Sequence, residues 1–143
     1  MQSDHSLHRQ SIVIEATCPL LYAPQHLAAY RQGGLTAVAP TVDDNEGGAL
    51  GTLRLLGGWM KLIRESPDLL LVRRAADIEE AKRSGKLGII LHFQGGDPIE
   101  NKLDFIDAYK AMGVGMIQLT YNVKNRIGDG CEERTDAGLS RFG

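Results

Sequence analysis

Two apolar runs, Leu87-Gly-Ile-Ile-Leu-His-Phe-Gln-Gly-Gly96 and Val114-Gly-Met-Ile-Gln-Leu-Thr-Tyr-Asn122, decide the fold class of this sequence. Each run has the length and the aliphatic content of a buried β-strand, and a helix-forming segment lies between the two. Both runs end in polar residues at the point where a strand passes into a loop. In α/β proteins the carboxyl ends of parallel strands usually carry the binding and catalytic residues, so we expect a functional site there.

The same alternation of strand and helix extends back to Ser11. The pattern predicts strands at residues 11–17, 35–42, 69–73, 87–93 and 114–120, and helices at residues 26–31, 49–65, 75–84 and 101–112. Repeated βα units require a parallel sheet with right-handed crossovers. An open doubly wound sheet and a (β/α) barrel both satisfy this pattern, and the spacing alone does not choose between them. A barrel needs eight units and about 250 residues, so this chain would supply about its first half.

The two ends of the chain differ from this pattern. Residues 1–10 are polar and are predicted to form a flexible N-terminal arm, while residues 11–143 form the α/β domain. After residue 125, glycine and charged residues predict a loop. The acidic side chains there, predicted to be an ordinary solvated loop, are Asp129, Glu132, Glu133 and Asp136.

Composition excludes several classes of partner. The chain has 143 residues, 43% of them hydrophobic, and a net charge of −2 without a long block of like charge, so neither nucleic acid nor a membrane surface is expected as a partner. No segment approaches the ~20 apolar residues of a membrane span, and no signal peptide is recognisable. Cys18 and Cys131 lack the spacing of a zinc site, which predicts unpaired, reduced cysteines in a cytoplasmic protein.

The candidate site residues lie at the two strand ends quoted above. His92 and Gln94 are two residues apart, so their side chains point to the same side of a strand, and Gly95 and Gly96 then allow a tight turn. His92 is either a ligand-binding residue or a hydrogen-bonded histidine of the sheet. Tyr121 and Asn122 end the last strand and could bind a ligand, or could cap loop carbonyls as Asn125 could.

Known catalytic motifs are missing from the sequence. The histidines, which are His5, His8, His26 and His92, form neither an H-x-H nor an H-E-x-x-H arrangement. No phosphate-binding glycine motif and no G-x-S-x-G nucleophile motif occurs. The residues themselves therefore identify no catalytic group.

Three further segments have a recognisable pattern: Phe93-Gln-Gly-Gly96, Leu119-Thr-Tyr-Asn-Val-Lys-Asn125 with the following Gly128-Asp-Gly-Cys131, and Gly138-Leu-Ser-Arg-Phe-Gly143. Together they resemble segments of the membrane (renal-type) dipeptidases, a family of zinc metallopeptidases. In the family the corresponding segments are I-E-G-G, L-T-H/Y-x-x-x-N and G-L-S/T-x-F-G. The similarity spans about residues 12–143.

The resemblance implies a (β/α)8 barrel of the TIM type, with this chain covering about its first five βα units. It also implies a hydrolase that cleaves dipeptides or related small amides with two zinc ions at the carboxyl ends of the strands. The family's chain continues past the G-L-S-x-F-G segment into strands that carry two further zinc-binding histidines, a substrate-binding arginine and a catalytic aspartate. The remaining half of the barrel, in the same or a separate chain, is therefore an expected partner, and a homo-oligomer is a further one.

At the positions that match the family's zinc ligands, this sequence carries different residues. The H-x-D at the end of the first strand corresponds to Thr17 and Pro19, and the bridging glutamate corresponds to Gln94. The histidine that contacts substrate corresponds to Tyr121. The resemblance predicts zinc as the cofactor. These residues nevertheless argue against the usual zinc pair, because an amide binds divalent cations poorly and proline does not bind them.

Two hypotheses follow for the function. The first is a divergent dipeptidase-like hydrolase whose substrate, a small amide or amino-acid derivative, contacts His92, Gln94, Tyr121 and Asn122. The second is a catalytically inactive, metal-free protein of the same fold that binds a small molecule or acts as a partner subunit.

Overall fold

The computed structural model describes residues 3–18 and 24–143, and of residues 3–5 and 24 the backbone alone. Five α-helices and six short β-strands alternate along these residues. The helices are α1 (Ser3–Gln10), α2 (Leu27–Gln32), α3 (Gly48–Glu65), α4 (Ala75–Ser84) and α5 (Asp104–Met112). The strands are β1 (Ile14–Cys18), β2 (Ala37–Pro40), β3 (Leu69–Leu71), β4 (Leu87–Ile89), β5 (Leu91–Phe93) and β6 (Val114–Ile117). Short 3-10 turns span Pro24–His26 and Asp97–Ile99.

All the strand pairings are parallel, as the βα alternation predicts. One sheet has the order β1-β2-β4-β3, and a second consists of β5 and β6. The predicted strand 87–93 is divided between the two sheets, because β4 ends at Ile89 and β5 begins at Leu91. A parallel bridge between Thr41 and His92 continues the pairing with β2 along β5.

The position of β3 does not follow its position in the sequence. β4 has β2 on one edge and β3 on the other. β5 continues the line of β4, with Thr41 after β2 on one edge and β6 on the other. Residues 87–93 therefore have β2 on one side, and β3 followed by β6 on the other. The main series of neighbouring strands consists of β1, β2, the β4–β5 run and β6, with β3 as a short flanking strand.

The core lies between the strands and the helices on one side of the sheet. Leu87, Ile89, Leu91 and Phe93 are all 0% exposed, as expected for strands buried within a parallel sheet. The ring of Phe93 makes an edge-to-face contact with Tyr109 of α5, with 4.8 Å between the ring centroids. Such aromatic pairs add to the stabilisation that burial gives, so α5 is fixed against β5.

Part of the predicted N-terminal arm is helical, and α3 is a long continuous helix. Residues 1–10, predicted as a flexible arm, include the helix α1, and His8 Nε2 lies 2.8 Å from the carbonyl oxygen of Gly33. The hydroxyl of Ser11 donates to the carbonyl of Leu7 at the end of this helix, before the β-branched residues Ile12 and Val13 begin an extended segment. The predicted helix over residues 49–65 is observed as α3, which runs without a break through Gly57 and Gly58 to Glu65.

The chain beyond β6 is a loop, as predicted. Within residues 118–143 the structure assigns no helix or strand, and an isolated antiparallel bridge joins Gly128 and Leu139. Among the helices of the described residues, none has both the length and the apolar character that a membrane span requires.

Candidate functional site

The carboxyl ends of β2 and β5 carry polar side chains on the face of the sheet that lies away from α5. Phe93 points towards α5, and successive strand residues point to opposite faces, so His92 and Gln94 point to the other face. His92 is paired with Thr41, and the backbone N–H of Val42 donates to the carbonyl of His92 at 2.8 Å. Thr41 and His92 thus lie side by side on the same face.

Asp43 lies beside Gln94, immediately beyond this pair. The backbone N–H of Gln94 donates to Asp43 Oδ1 at 2.7 Å, which fixes the end of β5 against the loop after β2. Burial raises the pKa of the Asp43 carboxyl, and the nearby negative charge of Asp97 raises it further, while the hydrogen bond from Gln94 opposes this shift. The net pKa of Asp43 lies above its ordinary value.

His92 is deeply buried, with 1% of its surface exposed. Burial lowers the pKa of its imidazole, because desolvation disfavours the charged form. Its Nδ1 atom and the Oγ1 atom of Thr41 are buried without a hydrogen-bond partner in the described part of the chain. One alternative predicted from the sequence was a histidine held in the sheet by hydrogen bonds. In the structure, the Nδ1 atom of His92 makes no such bond within the described residues.

Tyr121 and Asn122 lie in a separate cavity of about 280 Å³ beyond β5 and β6. Its other lining residues are Asn45, Gly95, Asp97, Val123 and Glu132. His92 and Gln94 are not among the residues that line this cavity. The predicted residues therefore form two separate pairs, His92 with Gln94 and Tyr121 with Asn122. Asp97 and Asn45 line the same cavity as the second pair.

Asn125 organises the loop beside this cavity. Its side-chain amide donates to the carbonyl of Leu119 at 2.8 Å and to Asp97 at 3.3 Å, and its Oδ1 accepts the N–H of Ile127 at 2.8 Å. Of the two predicted roles for Asn125, capping of the loop backbone is the one that these contacts describe. They also orient Asp97 towards the loop.

One of the acidic loop residues differs from the solvated loop that was predicted. The Asp129 side chain is 8% exposed and accepts the N–H of Ala137 at 2.8 Å, and Lys124 Nζ lies 3.3 Å from it. The hydrogen bond from Ala137, followed by Lys124, lowers the pKa of Asp129. Asp129 therefore stabilises the fold of the loop.

Both cysteines are free, as the sequence predicts. Cys18 is buried, and its Sγ atom lies 2.9 Å from the Tyr30 hydroxyl oxygen; the hydrogen bond between the two groups raises the pKa of Tyr30. Cys131 is exposed, and its thiol lies 3.5 Å from Asn122 Oδ1.

Comparison with known proteins identifies the family of this α/β chain. Residues 29–143 match the family described as Membrane dipeptidase (Peptidase family M19). The chain belongs to the membrane dipeptidase family. Members of this family are normally zinc-dependent, and their fold is the TIM-type barrel that the resemblance of the sequence segments predicted.

Solved structures of dipeptidase-family and related proteins agree with this fold. An amidohydrolase from Pseudomonas aeruginosa is 39% identical, with a TM-score of 0.89 over 97% of this chain and 42% of its own. The dipeptidase AC, a metallopeptidase of family M19, is 16% identical, with a TM-score of 0.76 over 92% of this chain and 51% of its own. A metallopeptidase from Rhodobacter sphaeroides, solved with a phosphinate mimic of the dipeptide L-Ala-D-Ala, is 14% identical, with a TM-score of 0.77 over 92% of this chain and 53% of its own.

Among curated proteins, an uncharacterized protein in the PQQ-III 3′ region of Acinetobacter calcoaceticus is 26% identical over 89 residues, which are 58% of this chain and 28% of that protein. The membrane dipeptidase chain described here thus spans about half, or less, of the length of these relatives.

The sequence resemblance places Thr17, Pro19 and Gln94 at the positions of the family's zinc ligands. Gln94 is half-buried at the end of β5, Thr17 is exposed on β1, and Pro19 lies outside the described residues. Among the side chains of residues 6–18 and 25–143, which the structure describes, no group of three or more His, Cys, Asp or Glu is placed to hold a metal ion.

Three polar residues at this end of the strands, Thr41, Asp43 and Asp97, are not among the site residues predicted from the sequence. Asp43 directly follows the predicted strand 35–42, and Asp97 directly follows Gly95 and Gly96. The signal that selected His92 and Gln94, a polar residue at a strand end, would also have selected Thr41 and Asp43. Asp43 also begins the polar segment Asp43-Asp-Asn-Glu-Gly-Gly48, which has the composition of a loop.

Proposed function

We propose that this chain is part of a divergent dipeptidase-like hydrolase that cleaves small dipeptides or related amides. The observation that carries the proposal is the polar group formed by Thr41, Asp43, His92 and Gln94 at the carboxyl ends of β2 and β5. Active sites of barrel enzymes lie at this end of the strands. Membership of the dipeptidase family supports amide hydrolysis as the reaction class.

The donor set of the described half fits poorly with the two zinc ions of the family. A neutral amide at Gln94 cannot offset the charge of two adjacent cations as a bridging carboxylate would, and Thr17 is a weak ligand. The carboxylate beside Gln94 belongs to Asp43, whose Oδ1 accepts the Gln94 N–H. We therefore propose that the usual zinc pair does not form here.

Asp43 is the group that we propose for proton transfer. A general acid or base works best when its pKa lies near the operating pH, and the pKa of Asp43 is shifted in that direction by burial. The substrate would contact His92 and Gln94 on one side and Tyr121 and Asn122 in the neighbouring cavity on the other. Asp97, which lines that cavity, would face a donor group of the substrate.

A second function of a different class has a specific observation in its favour. The weak donors at the positions of the zinc ligands are also what we would expect of a metal-free protein that binds a small molecule or serves as a partner subunit. Such a protein would keep the polar cavity around Tyr121 and Asn122 and would lack hydrolytic activity.

Metal analysis combined with a hydrolysis assay tests these proposals. For the divergent hydrolase we expect turnover of L-Ala-D-Ala or a related dipeptide with less than one zinc per chain, insensitivity to chelator, and loss of turnover in Asp43→Asn. Stoichiometric zinc and turnover abolished by chelator would contradict the proposed loss of the zinc pair. Tight ligand binding without turnover of any dipeptide would favour the binding protein.

The proposed partner of this chain is the remaining half of a barrel, supplied by the same or a separate chain, or else a second copy of the chain. β1 is the outer strand of its sheet, and in the described residues β6 pairs with β5 alone. Unpaired strand edges bind further strands readily, so both edges are suited to such a partner.

A further inference from the structure

Thr41 Oγ1 and His92 Nδ1 stand out because buried side-chain polar atoms are nearly always hydrogen-bonded in proteins. Both atoms are buried and lack a partner in the described part of the chain. They belong to residues paired across β2 and β5, so the two unsatisfied atoms come from neighbouring side chains on one face. These two polar atoms thus retain unused hydrogen-bonding capacity at neighbouring positions.

Other buried threonines of this chain have their hydroxyl groups satisfied. Thr36, which immediately precedes β2 and is 2% exposed, accepts the backbone N–H of Val13 at 3.1 Å. Thr52 on α3, which is 0% exposed, accepts the backbone N–H of Asp44 at 2.9 Å. The fold thus provides partners for buried hydroxyls elsewhere, and Thr41 differs from them.

We propose that Thr41 and His92 form a subsite that binds an uncharged amide group of the substrate. This proposal rests on the proposed function, and it specifies which part of the substrate the two residues contact. An amide presents one N–H donor and one carbonyl acceptor close together. A threonine hydroxyl can donate or accept, and a ring nitrogen of neutral imidazole does one or the other, so the pair can match both atoms of an amide.

A charged group fits this subsite less well. Carboxylates and ammonium groups lose a large hydration free energy on burial and need an opposite charge to replace it. The hydroxyl of Thr41 carries no charge, and a buried imidazole favours its neutral form. The amide class is therefore preferred over a free carboxylate of the same size.

The position of the subsite is suitable for orienting a substrate. Thr41 lies two residues before Asp43 and His92 lies two residues before Gln94, and the Gln94 N–H donates to Asp43 Oδ1 at 2.7 Å. An amide held by Thr41 and His92 would place the adjoining part of the substrate next to Asp43. Thr41 and His92 are thus binding residues, and Asp43 is the group that faces the reacting bond.

Ligand titration by NMR of the full chain tests the subsite with two probes of equal shape, propionamide and propionate. We expect propionamide to shift the imidazole signals of His92 and to bind at least tenfold more tightly than propionate. Thr41→Val, which keeps the shape of the side chain, should weaken propionamide binding at least tenfold. Thr36→Val is the matched control and should leave binding unchanged.

Thermal unfolding of the same variants separates a binding role from a structural one. Thr41→Val removes a hydroxyl that has no partner, so its Tm should equal or exceed that of the parent chain, whereas Thr36→Val should lower Tm. Equal binding of propionate, unchanged propionamide binding by Thr41→Val, or a Tm loss in Thr41→Val like that in Thr36→Val would overturn the subsite. Amide binding that persists without hydrolysis of any dipeptide would uphold the subsite and contradict the proposed hydrolase.

Discussion

At the scale of single residues, Asp43 and Asp129 show how differently this fold treats two carboxylates. Asp43 is half-buried beside Gln94, and its pKa is raised mainly by burial. Asp129 accepts the N–H of Ala137 and lies near Lys124, and its pKa is lowered mainly by that hydrogen bond. Their ionised forms therefore have opposite effects on stability.

Asp43→Asn tests the cost of ionising Asp43. Because the pKa of Asp43 is higher in the folded chain than in the unfolded chain, ionisation disfavours folding at pH values above the folded pKa. This cost disappears as the pH falls through the folded pKa towards the ordinary value. Asp43→Asn should therefore have the higher Tm at pH 7, and its advantage should shrink towards pH 4, as measured by thermal unfolding across that range.

Asp129→Asn is the control, because the pKa of Asp129 is shifted in the opposite direction to that of Asp43. The stabilisation that ionised Asp129 provides is present above its ordinary pKa and is lost as the pH falls through the lowered pKa of the folded chain. The variant should have the lower Tm at pH 7. If both variants show the same pH trend, the different environments assigned to the two carboxyls are wrong.

Gln94→Glu tests the proposal that the amide at this position prevents the usual zinc pair from forming. A carboxylate added beside Asp43 increases the local negative charge, which should lower Tm in the presence of chelator. Zinc should then raise the Tm of Gln94→Glu, because a ligand that binds the folded state stabilises it, and should leave that of the parent chain unchanged. A zinc-dependent increase in the Tm of the parent chain would contradict the proposed loss of the site.

At the scale of elements, β5 and α5 are held together by an aromatic contact and by a hydrogen bond. The ring of Tyr109 packs on Phe93 and, at 6.2 Å, on Phe105 of its own helix. The hydroxyl of Tyr109 donates to the carbonyl of Pro98 at 3.0 Å, which connects α5 to the turn Asp97–Ile99. This contact supports the turn that carries Asp97 into the cavity with Tyr121.

Tyr109→Phe removes this hydrogen bond and keeps the ring. Because the Pro98 carbonyl would be left buried without its donor, we expect a loss of about 1–2 kcal/mol in the free energy of unfolding, measured with denaturant. Tyr121→Phe is the matched control, since Tyr121 is 44% exposed, and its unfolding free energy should stay within about 0.5 kcal/mol of the parent value. Equal losses in the two variants would show that the Pro98 contact does not stabilise the fold.

At the scale of the whole molecule, the described strands form an open series with two free edges. β1 is the outer strand of the four-stranded sheet, and Ile14 on it is 44% exposed. The relatives with solved structures have about twice the length of this chain, and the fold of the family is a closed barrel. The chain by itself is therefore expected to pair its edges with further strands.

Ile14→Lys tests this expectation. The chain of 143 residues, purified alone, should form dimers or larger species, because an edge strand with exposed apolar residues associates with other strands. A lysine on the edge should increase the monomer fraction in sedimentation velocity. Leu7→Lys changes an equally apolar and more exposed residue on α1 and should not alter the distribution. A stable monomer of the parent chain would contradict the proposed partner.

The sequence by itself determined the parallel α/β class and the positions of most elements. Strands buried on both faces need continuous aliphatic runs, and helices need breaks at glycine and proline, so both are visible in the order of residues. The three quoted segments were also sufficient to identify the dipeptidase family. For the site, the sequence singled out His92 in β5 and Gln94 immediately after it, and their role in a site stays a prediction.

Only the tertiary structure decided which strands are neighbours and which polar groups meet. Local periodicity shows which face a residue points to, but it does not show which strand lies beside it. The flanking position of β3, the contact between Asp43 and Gln94 across 51 residues of sequence, and the unsatisfied pair of Thr41 and His92 all depend on that choice. They arise from strand pairing, which follows from packing the whole sheet against its helices.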